Sequence, residues 1–268
     1  WRRQYSHLGP YGMDGNIRTY LCYFFNPCGS SIYVLVDLQD ENKNEEIFTL
    51  NKGRMLKNIQ DLRKEYSSAP FNLEDADANP LVQFEVWLED AIKAEMPEPN
   101  AMTLATINPD GFPSARVVLL KAIEPKGFVF YSNYLSEKGL SMDKNPNVAL
   151  VFLWLGIQRQ VRIEGLVSKV DPQTSKNYFK TRPRGSQIGA VASPQSTPID
   201  RASLEEAFME LNQKYGPEDD IPMPNHWGGY LVEPKRVEFW QGRRSRLHDR
   251  INYILNQEGI WEKRRLAP

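Results

Sequence analysis

The chain has 268 residues, 41% of them hydrophobic and 25% charged, with a formal net charge of −1. That is ordinary globular usage with enough apolar material for a core, and it gives no global field to draw the chain onto nucleic acid or anionic lipid. The longest apolar run, Val148 to Ile157, is roughly half of the ~20 residues a membrane helix needs, so no membrane partner is expected either.

Cys22 and Cys28 are the only cysteines. A disulfide framework is therefore excluded for the main body, and a reducing, cytoplasmic location is the default. His7, His226 and His248 are scattered without ligand spacing, so no metal site is expected.

The chain opens on Trp1, and residues 1–54 show no sustained period. Tyr20–Phe25 and Ile32–Val36 are short apolar runs split by Asn26-Pro27 and Gly29. This stretch reads as a poorly ordered extension of unknown role. Arg2 and Arg3 leave organellar targeting open, although the apolar run is too broken for a secretory signal. Met55 is a candidate internal start, and residues 55–268 are the expected folded domain.

Leu56–Tyr66 is charged and compatible with a helix, and Phe71–Asn79 reads as an acidic loop. Asn79-Pro80 is a helix entry, a capping residue followed by proline at the first helical position. Leu81, Phe84, Leu88 and Ala91/Ile92 recur behind it at helical spacing. Ala101–Ile107 and Ala115–Ala122 read as paired strands about the turn Pro109-Asp110-Gly111. Gly127–Ser132, Val148–Leu155 and Gln160–Val170 follow as strands.

Asp171-Pro172 opens a second helix, to about Thr181, and Ser203 with Glu206 forms a capping box for a third. Tyr230–Val232, Val237–Trp240 and Ile251–Leu255 complete the strands. Without a βαβ rhythm or a glycine-rich phosphate loop, the pattern predicts an α+β, barrel-like domain.

Four segments concentrate anion-binding and aromatic groups. Ser114–Lys121 carries Arg116 and Lys121 at the ends of an apolar strand, on opposite faces of a regular one. It reads either as a strand serving two anions or as a buried strand with solvated ends. Tyr178–Gly189 combines tyrosine, arginine and serine donors, which suits a phosphate monoester, or is a basic helix terminus favoured by the dipole. Asn225–Tyr230 sets Trp227 beside paired glycines, for close approach of a flat ring or for core packing. Phe239–Arg250 packs Arg243, Arg244, Arg246, His248 and Arg250 together. On a strand, Arg246, His248 and Arg250 share a face fit for an anionic ring. A nucleic-acid reading of that tract is opposed by Asp249 and by the neutral net charge.

These segments, in this order, resemble the pyridoxine/pyridoxamine 5′-phosphate oxidase family. The most specific matches are Arg182-Pro183-Arg184-Gly185-Ser186-Gln187-Ile188-Gly189-Ala190, Glu238-Phe239-Trp240-Gln241-Gly242, Arg246-Leu247-His248-Asp249-Arg250 and the terminal Arg265-Leu266-Ala267-Pro268. The likeness runs from about Arg63 to Pro268.

It implies the FMN-binding split β-barrel with peripheral helices, in a homodimer with FMN at the subunit interface. It implies oxidation of pyridoxamine and pyridoxine 5′-phosphate by oxygen to pyridoxal 5′-phosphate, with release of hydrogen peroxide. By the same resemblance, Arg116, Val117, Val118, Leu119, Leu120, Lys121, Tyr131, Ser132 and Lys138 line the FMN phosphate and ribityl region. Gln195 and Ser196 reach FMN from the partner chain, and Gln160, Trp227 and Arg250 meet its ring. Lys121, Tyr178, Arg182 and Ser186 clamp the substrate phosphate. Arg246, Leu247 and His248 stand over the pyridine ring, with Arg246 and His248 catalytic. Arg63-Lys64-Glu65-Tyr66 covers the site.

One position departs from the family pattern. Glu137 stands where an arginine usually aids the FMN phosphate, which predicts looser FMN retention unless the carboxylate turns to solvent.

Overall fold

A computed structural model describes residues 64–217 and 219–268 in full, and the backbone of strands at 4–5, 19–25 and 31–37. Those three strands, β1 (Gln4–Tyr5), β2 (Thr19–Phe25) and β3 (Ser31–Asp37), form an antiparallel sheet. They belong to a unit spanning Trp1–Lys64, distinct from the unit Glu65–Pro268. Arg63 and most of the proposed Leu56–Tyr66 helix lie outside the described residues; residues 64–66 are in no regular element.

The second unit is built on nine antiparallel strands. These are β4 (Ala101–Ile107), β5 (Pro113–Leu119), β6 (Ala122–Glu124), β7 (Gly127–Asn133), β8 (Asn147–Trp154), β9 (Arg159–Lys169), β10 (Trp227–Gln241), β11 (Asp249–Leu255) and β12 (Trp261–Arg265). The helices are α1 (Pro80–Lys93), α2 (Glu137–Lys144), α3 (Pro172–Thr181), α4 (Arg184–Ala192) and α5 (Arg201–Lys214).

The two runs expected around Tyr230 and Val237 are one strand, β10, and it organises the sheet. Along one edge it pairs with β9 from Tyr230 to Gln241. Along the other it pairs first with β7, over Trp227–Val232, and then with β11, over Arg236–Gln241. The change of partner coincides with an irregularity between Pro234 and Arg236. Pro234 has no N–H to give to a ladder. Opposite it Gly165 admits the bend, since a Cβ there would lie 2.3 Å from the Glu233 carbonyl.

Alternation decides the two faces. Leu104, Leu150, Phe152, Val161, Ile163, Val237, Phe239 and Ile251 point inward and are fully buried. Helix α1 closes that face. Its Asn79 cap accepts the Leu81 N–H, and Phe84 and Trp87 insert against Phe152 and Phe239 at ring separations of 4.7 and 5.1 Å. Ile92, expected on this buried face, is exposed, and Trp87 serves instead.

The described residues leave much of the opposite face open. Val117, Leu153 and Leu166 lie on it, with 67%, 54% and 42% exposure. Helix α5 begins one turn earlier than expected. Asp200 is the cap, accepting from the Ser203 N–H, so Ser203 sits inside the first turn and does not open it.

Candidate active site

Arg116 lies on the inner face of the edge strand β5, opposite Leu104. Its guanidinium donates to Thr106 Oγ1 and Ser114 Oγ, each at 2.8 Å, and to the Leu104 and Ser114 carbonyls. Burial and the neighbouring Arg116 push the Lys138 ammonium down to about 8, against partial compensation from Glu137. Lys138 is 8% exposed, and its Nζ donates to Ser136 Oγ at 2.9 Å. Ser136 caps α2. A half-buried guanidinium and a buried ammonium in the first turn of α2 thus hydrogen-bond to neutral partners, an electrostatically unfavourable arrangement that an anion would relieve. Glu137 is exposed, and its backbone N–H donates to Ser196 Oγ at 3.2 Å. Ser196, at φ 71°, therefore stands beside α2 of its own chain; the resemblance assigned it to the partner's site. Gln195 adjoins it and is exposed.

Other members of the expected Arg116–Lys121 run diverge. The strand ends at Leu119, so the parity argument about Arg116 and Lys121 does not apply: Leu120 N turns to the Asn100 carbonyl and Lys121 N to that of Val129. Lys121 is exposed. The Leu120 side chain is in the core and its carbonyl accepts from Asn100. Val117 faces outward, while Val118 packs against the core.

Beyond the C-terminal half of β7 stands an aromatic wall. Tyr131 stacks on Tyr178 with centroids 3.9 Å apart and on Trp227 at 5.4 Å. The Arg182 guanidinium lies 4.7 Å over the Trp227 ring. Its Nη1 is buried and has no hydrogen-bond partner among the described residues. Burial holds Arg182 below its ordinary pKa, and the same desolvation raises Tyr131 and Tyr178. Ser132 is buried on β7, and Ser186 is exposed on the first turn of α4.

The glycines beside Trp227 serve this wall and admit no outside ring. A Cβ on Gly229 would sit 2.8 Å from the Tyr131 ring, and one on Gly228 2.0 Å from the Tyr134 hydroxyl. Arg184, part of the same basic segment, is structural: it donates to the carbonyls of Tyr215 and Asp219.

A second set of residues gathers at the far end of β10. Gln160, Trp240 and Arg250 stand directly opposite one another across β9, β10 and β11, on the open face. Arg250 makes a two-pronged pair with Glu238, both contacts 3.0 Å, and donates to the Ala267 carbonyl. That pairing raises its pKa. Trp227, expected with Gln160 and Arg250, is not in this row; Trp240 occupies that place. Trp240 and Glu238 were legible only as motif letters, because their role depends on strand register.

His248 packs on Trp240 at 4.6 Å, and Tyr66 meets both rings edge-on, at 5.7 and 5.6 Å. His248 Nδ1 accepts the Arg243 N–H at 3.1 Å, so a neutral ring carries its proton on Nε2. Burial, then Arg246, lowers its pKa. Arg246 and His248 precede the strand and do not lie on it. Arg244–Arg246 is a tight turn with Ser245 and Arg246 at φ 55° and 62°, and both Arg246 and Leu247 are exposed. Lys64 and Glu65 are exposed as well.

Residues 88–215 match the family described as pyridoxamine 5′-phosphate oxidase, and residues 227–268 match the pyridoxine 5′-phosphate oxidase C-terminal dimerisation region. A pyridoxine/pyridoxamine 5′-phosphate oxidase of Salinibacter ruber is 52% identical over 212 residues, covering 78% of this chain and 99% of that relative. The chain belongs to the pyridoxamine 5′-phosphate oxidase family. A relative of the same description from Ralstonia pickettii is 51% identical over 211 residues, 78% of this chain and 99% of its own.

Among solved structures, PhzG of Burkholderia lata 383, in complex with tetrahydrophenazine-1-carboxylic acid, superposes with a TM-score of 0.71 at 27% identity, over 75% of this chain and 100% of that one. A pyridoxamine 5′-phosphate oxidase-related, FMN-binding protein of Nostoc punctiforme shares the fold, with a TM-score of 0.60 at 16% identity over 72% of this chain and 100% of that one. The nine-stranded sheet with its partner-switching β10 is the split barrel of the pyridoxamine 5′-phosphate oxidase family.

Proposed function

We propose that this chain is an FMN-dependent oxidase that converts pyridoxamine 5′-phosphate and pyridoxine 5′-phosphate to pyridoxal 5′-phosphate, with oxygen as acceptor and hydrogen peroxide as by-product. The observation that carries the reading is the pair of cationic sites: Arg116 beside the buried Lys138, and Arg182 with its buried, unpartnered Nη1. Cofactor and substrate each bring one phosphate, so two such sites are what the reaction requires.

Arg116, Lys138 and Ser196 are the candidates for holding the FMN phosphate, and Gln160, Trp240 and Arg250 for its ring. Lys121, Tyr178, Arg182 and Ser186 are the candidates for the substrate phosphate. Bound FMN supplies the two-electron acceptance that side chains cannot. His248, neutral at pH 7 and hydrogen-bonded through Nδ1, presents an Nε2–H donor to a ring substituent. Arg246 adds a fixed cation beside it. Tyr66, Trp240 and His248 exclude water from that side.

The active assembly is a homodimer in this reading. At about 3.3 Å per residue, the strand between Trp227 and Trp240 is roughly 40 Å long, too far for one substrate to touch Arg182 and His248 of the same chain. The open apolar face with Val117, Leu153 and Leu166 supplies a surface for a second copy. Residues 55–268 form the catalytic domain, with small-molecule substrates only.

A related oxidase acting on an unphosphorylated ring is the second reading. It gives no reason for a buried Arg182 Nη1 without a hydrogen-bond partner among the described residues. The test is peroxide release by the yellow protein on adding pyridoxamine 5′-phosphate, against pyridoxamine as control. Equal rates with the two amines would defeat the phosphate assignment. Arg246→Ala should keep the colour and lose most turnover.

A further inference from the structure

Gln158 is the most heavily bonded residue near His248 that the reading above leaves without a role. It lies in the left-handed region, at φ 57° and ψ 42°, where the chain turns from β8 into β9. A glutamine there carries a backbone cost that glycine would not. One side-chain oxygen, Oε1, accepts from Ser67 N at 2.9 Å and from Ser68 Oγ at 2.8 Å. The twisted backbone turns the Gln158 carbonyl the other way, where it accepts from Gly242 N at 2.8 Å and from Gln241 Nε2 at 3.0 Å.

Ser67 and Ser68 directly follow Tyr66, the ring that covers His248 and Trp240. Gly242 is the root of the loop that carries Arg246 and His248. It also touches the strap: a Cβ on Gly242 would meet both Gln158 Cβ and the Tyr66 ring at 3.0 Å. Arg243 adds a hydrogen bond to the Ser68 carbonyl, and Asp249 accepts from Phe71 N at 3.0 Å. The strap and the loop are therefore two separate pieces of chain, and Gln158 binds to each.

We propose that Gln158 is a positioning residue that latches the Tyr66 strap onto the His248 loop, and so sets how tightly the substrate ring is enclosed. The proposal rests on the active-site reading above. Its chemistry is specific, because both side-chain bonds end on an acceptor oxygen. Glutamate preserves them and alanine removes them, at nearly the same backbone conformation.

The test uses the FMN-loaded full-length enzyme. Gln158→Ala should lower hydrogen-exchange protection of the Ser67 amide. It should also raise KM for pyridoxamine 5′-phosphate about tenfold, with kcat within about threefold, the loss expected for two neutral hydrogen bonds. Gln158→Glu should restore both readouts. Ser68→Ala, which removes one of the two bonds, should shift both in the same direction by less and guards against misfolding of the alanine variant.

Unchanged protection and KM in Gln158→Ala overturns the latch. So does Gln158→Glu behaving like Gln158→Ala, which would mark a merely structural glutamine. The exchange readout needs no turnover. A wild-type protein inactive on the phosphorylated amine therefore defeats the functional reading while leaving the latch measurable.

Discussion

Lys138 gives the sharpest consequence of the proposed FMN phosphate pocket. In the protein without cofactor its ammonium is pushed down from 10.5 to about 8, first by burial and then by Arg116. At about 1.36 kcal/mol per pK unit, holding that charge costs the fold on the order of 3 kcal/mol at neutral pH. The sign follows from the direction. Between pH 8 and 10.5 the folded state binds fewer protons than the unfolded one, so this group's penalty is complete below 8 and fades as pH rises.

A dianionic phosphate beside Lys138 reverses the balance by favouring the ammonium. Above pH 8, FMN binding must then take up a proton, and Kd should rise about tenfold per pH unit. Lys138→Met should separate the two effects. The apoprotein should gain roughly 1–3 kcal/mol of stability at pH 7, while FMN affinity falls and its dependence above pH 8 flattens. The assay is titration of apoprotein with FMN by fluorescence at pH 7, 8 and 9, with thermal melts of both proteins. A wild-type Kd that does not change from pH 7 to 9, or a variant with the same slope as wild type, would refute the assignment of Lys138 to the phosphate.

Other outcomes follow from the same geometry. Glu137→Arg should tighten FMN binding by about fivefold, the ~1 kcal/mol scale of an exposed charge, because Glu137 already points to solvent; no gain in the same titration removes the idea. Arg182→Ala should raise KM for pyridoxamine 5′-phosphate by roughly 30- to 100-fold, the 2–3 kcal/mol of a charge-assisted bond, and should leave activity on unphosphorylated pyridoxamine little altered. The acid limb of kcat/KM assigned to His248 should fall below about 6.5, the free-histidine value, since burial and Arg246 depress it; a midpoint above that value contradicts the neutral Nε2–H donor. Gly229→Ala should cost about 1–3 kcal/mol by overpacking and displace Tyr131 from its stack on Tyr178, read as a lower melting temperature together with a higher KM.

Local chemistry carried far in this chain. Asn79-Pro80 and Asp171-Pro172 marked two helix starts at the positions observed, because a cap and a fixed proline φ act within one turn. Ala101–Ile107 was readable as a strand leading into the turn signal Pro109-Asp110-Gly111. Helices α2 and α4 escaped, since each is short and buries too few apolar residues to show a period.

The motif order named the family, and with it the residue types of the site. Which residues meet was another matter. Arg116 and Lys121 looked like opposite faces of one strand until the backbone left the ladder at Leu120. Arg246 and His248 looked like one face until two left-handed residues turned them into a loop. Trp227 was the tryptophan expected beside Gln160 and Arg250, and only the register of β9, β10 and β11 showed that Trp240 stands between them.

Sequence by itself settled the kinds of contact available: a core, capped helices, and cations in surplus at a few stretches. Tertiary structure alone decided that Lys138 is buried beside Arg116 and that Arg182 Nη1 is buried without a hydrogen-bond partner among the described residues. It also set the Arg182 and His248 half-sites at opposite ends of β10. The reason is physical: propensity and capping act over a few residues, whereas desolvation and strand register depend on segments that meet only after the sheet has closed.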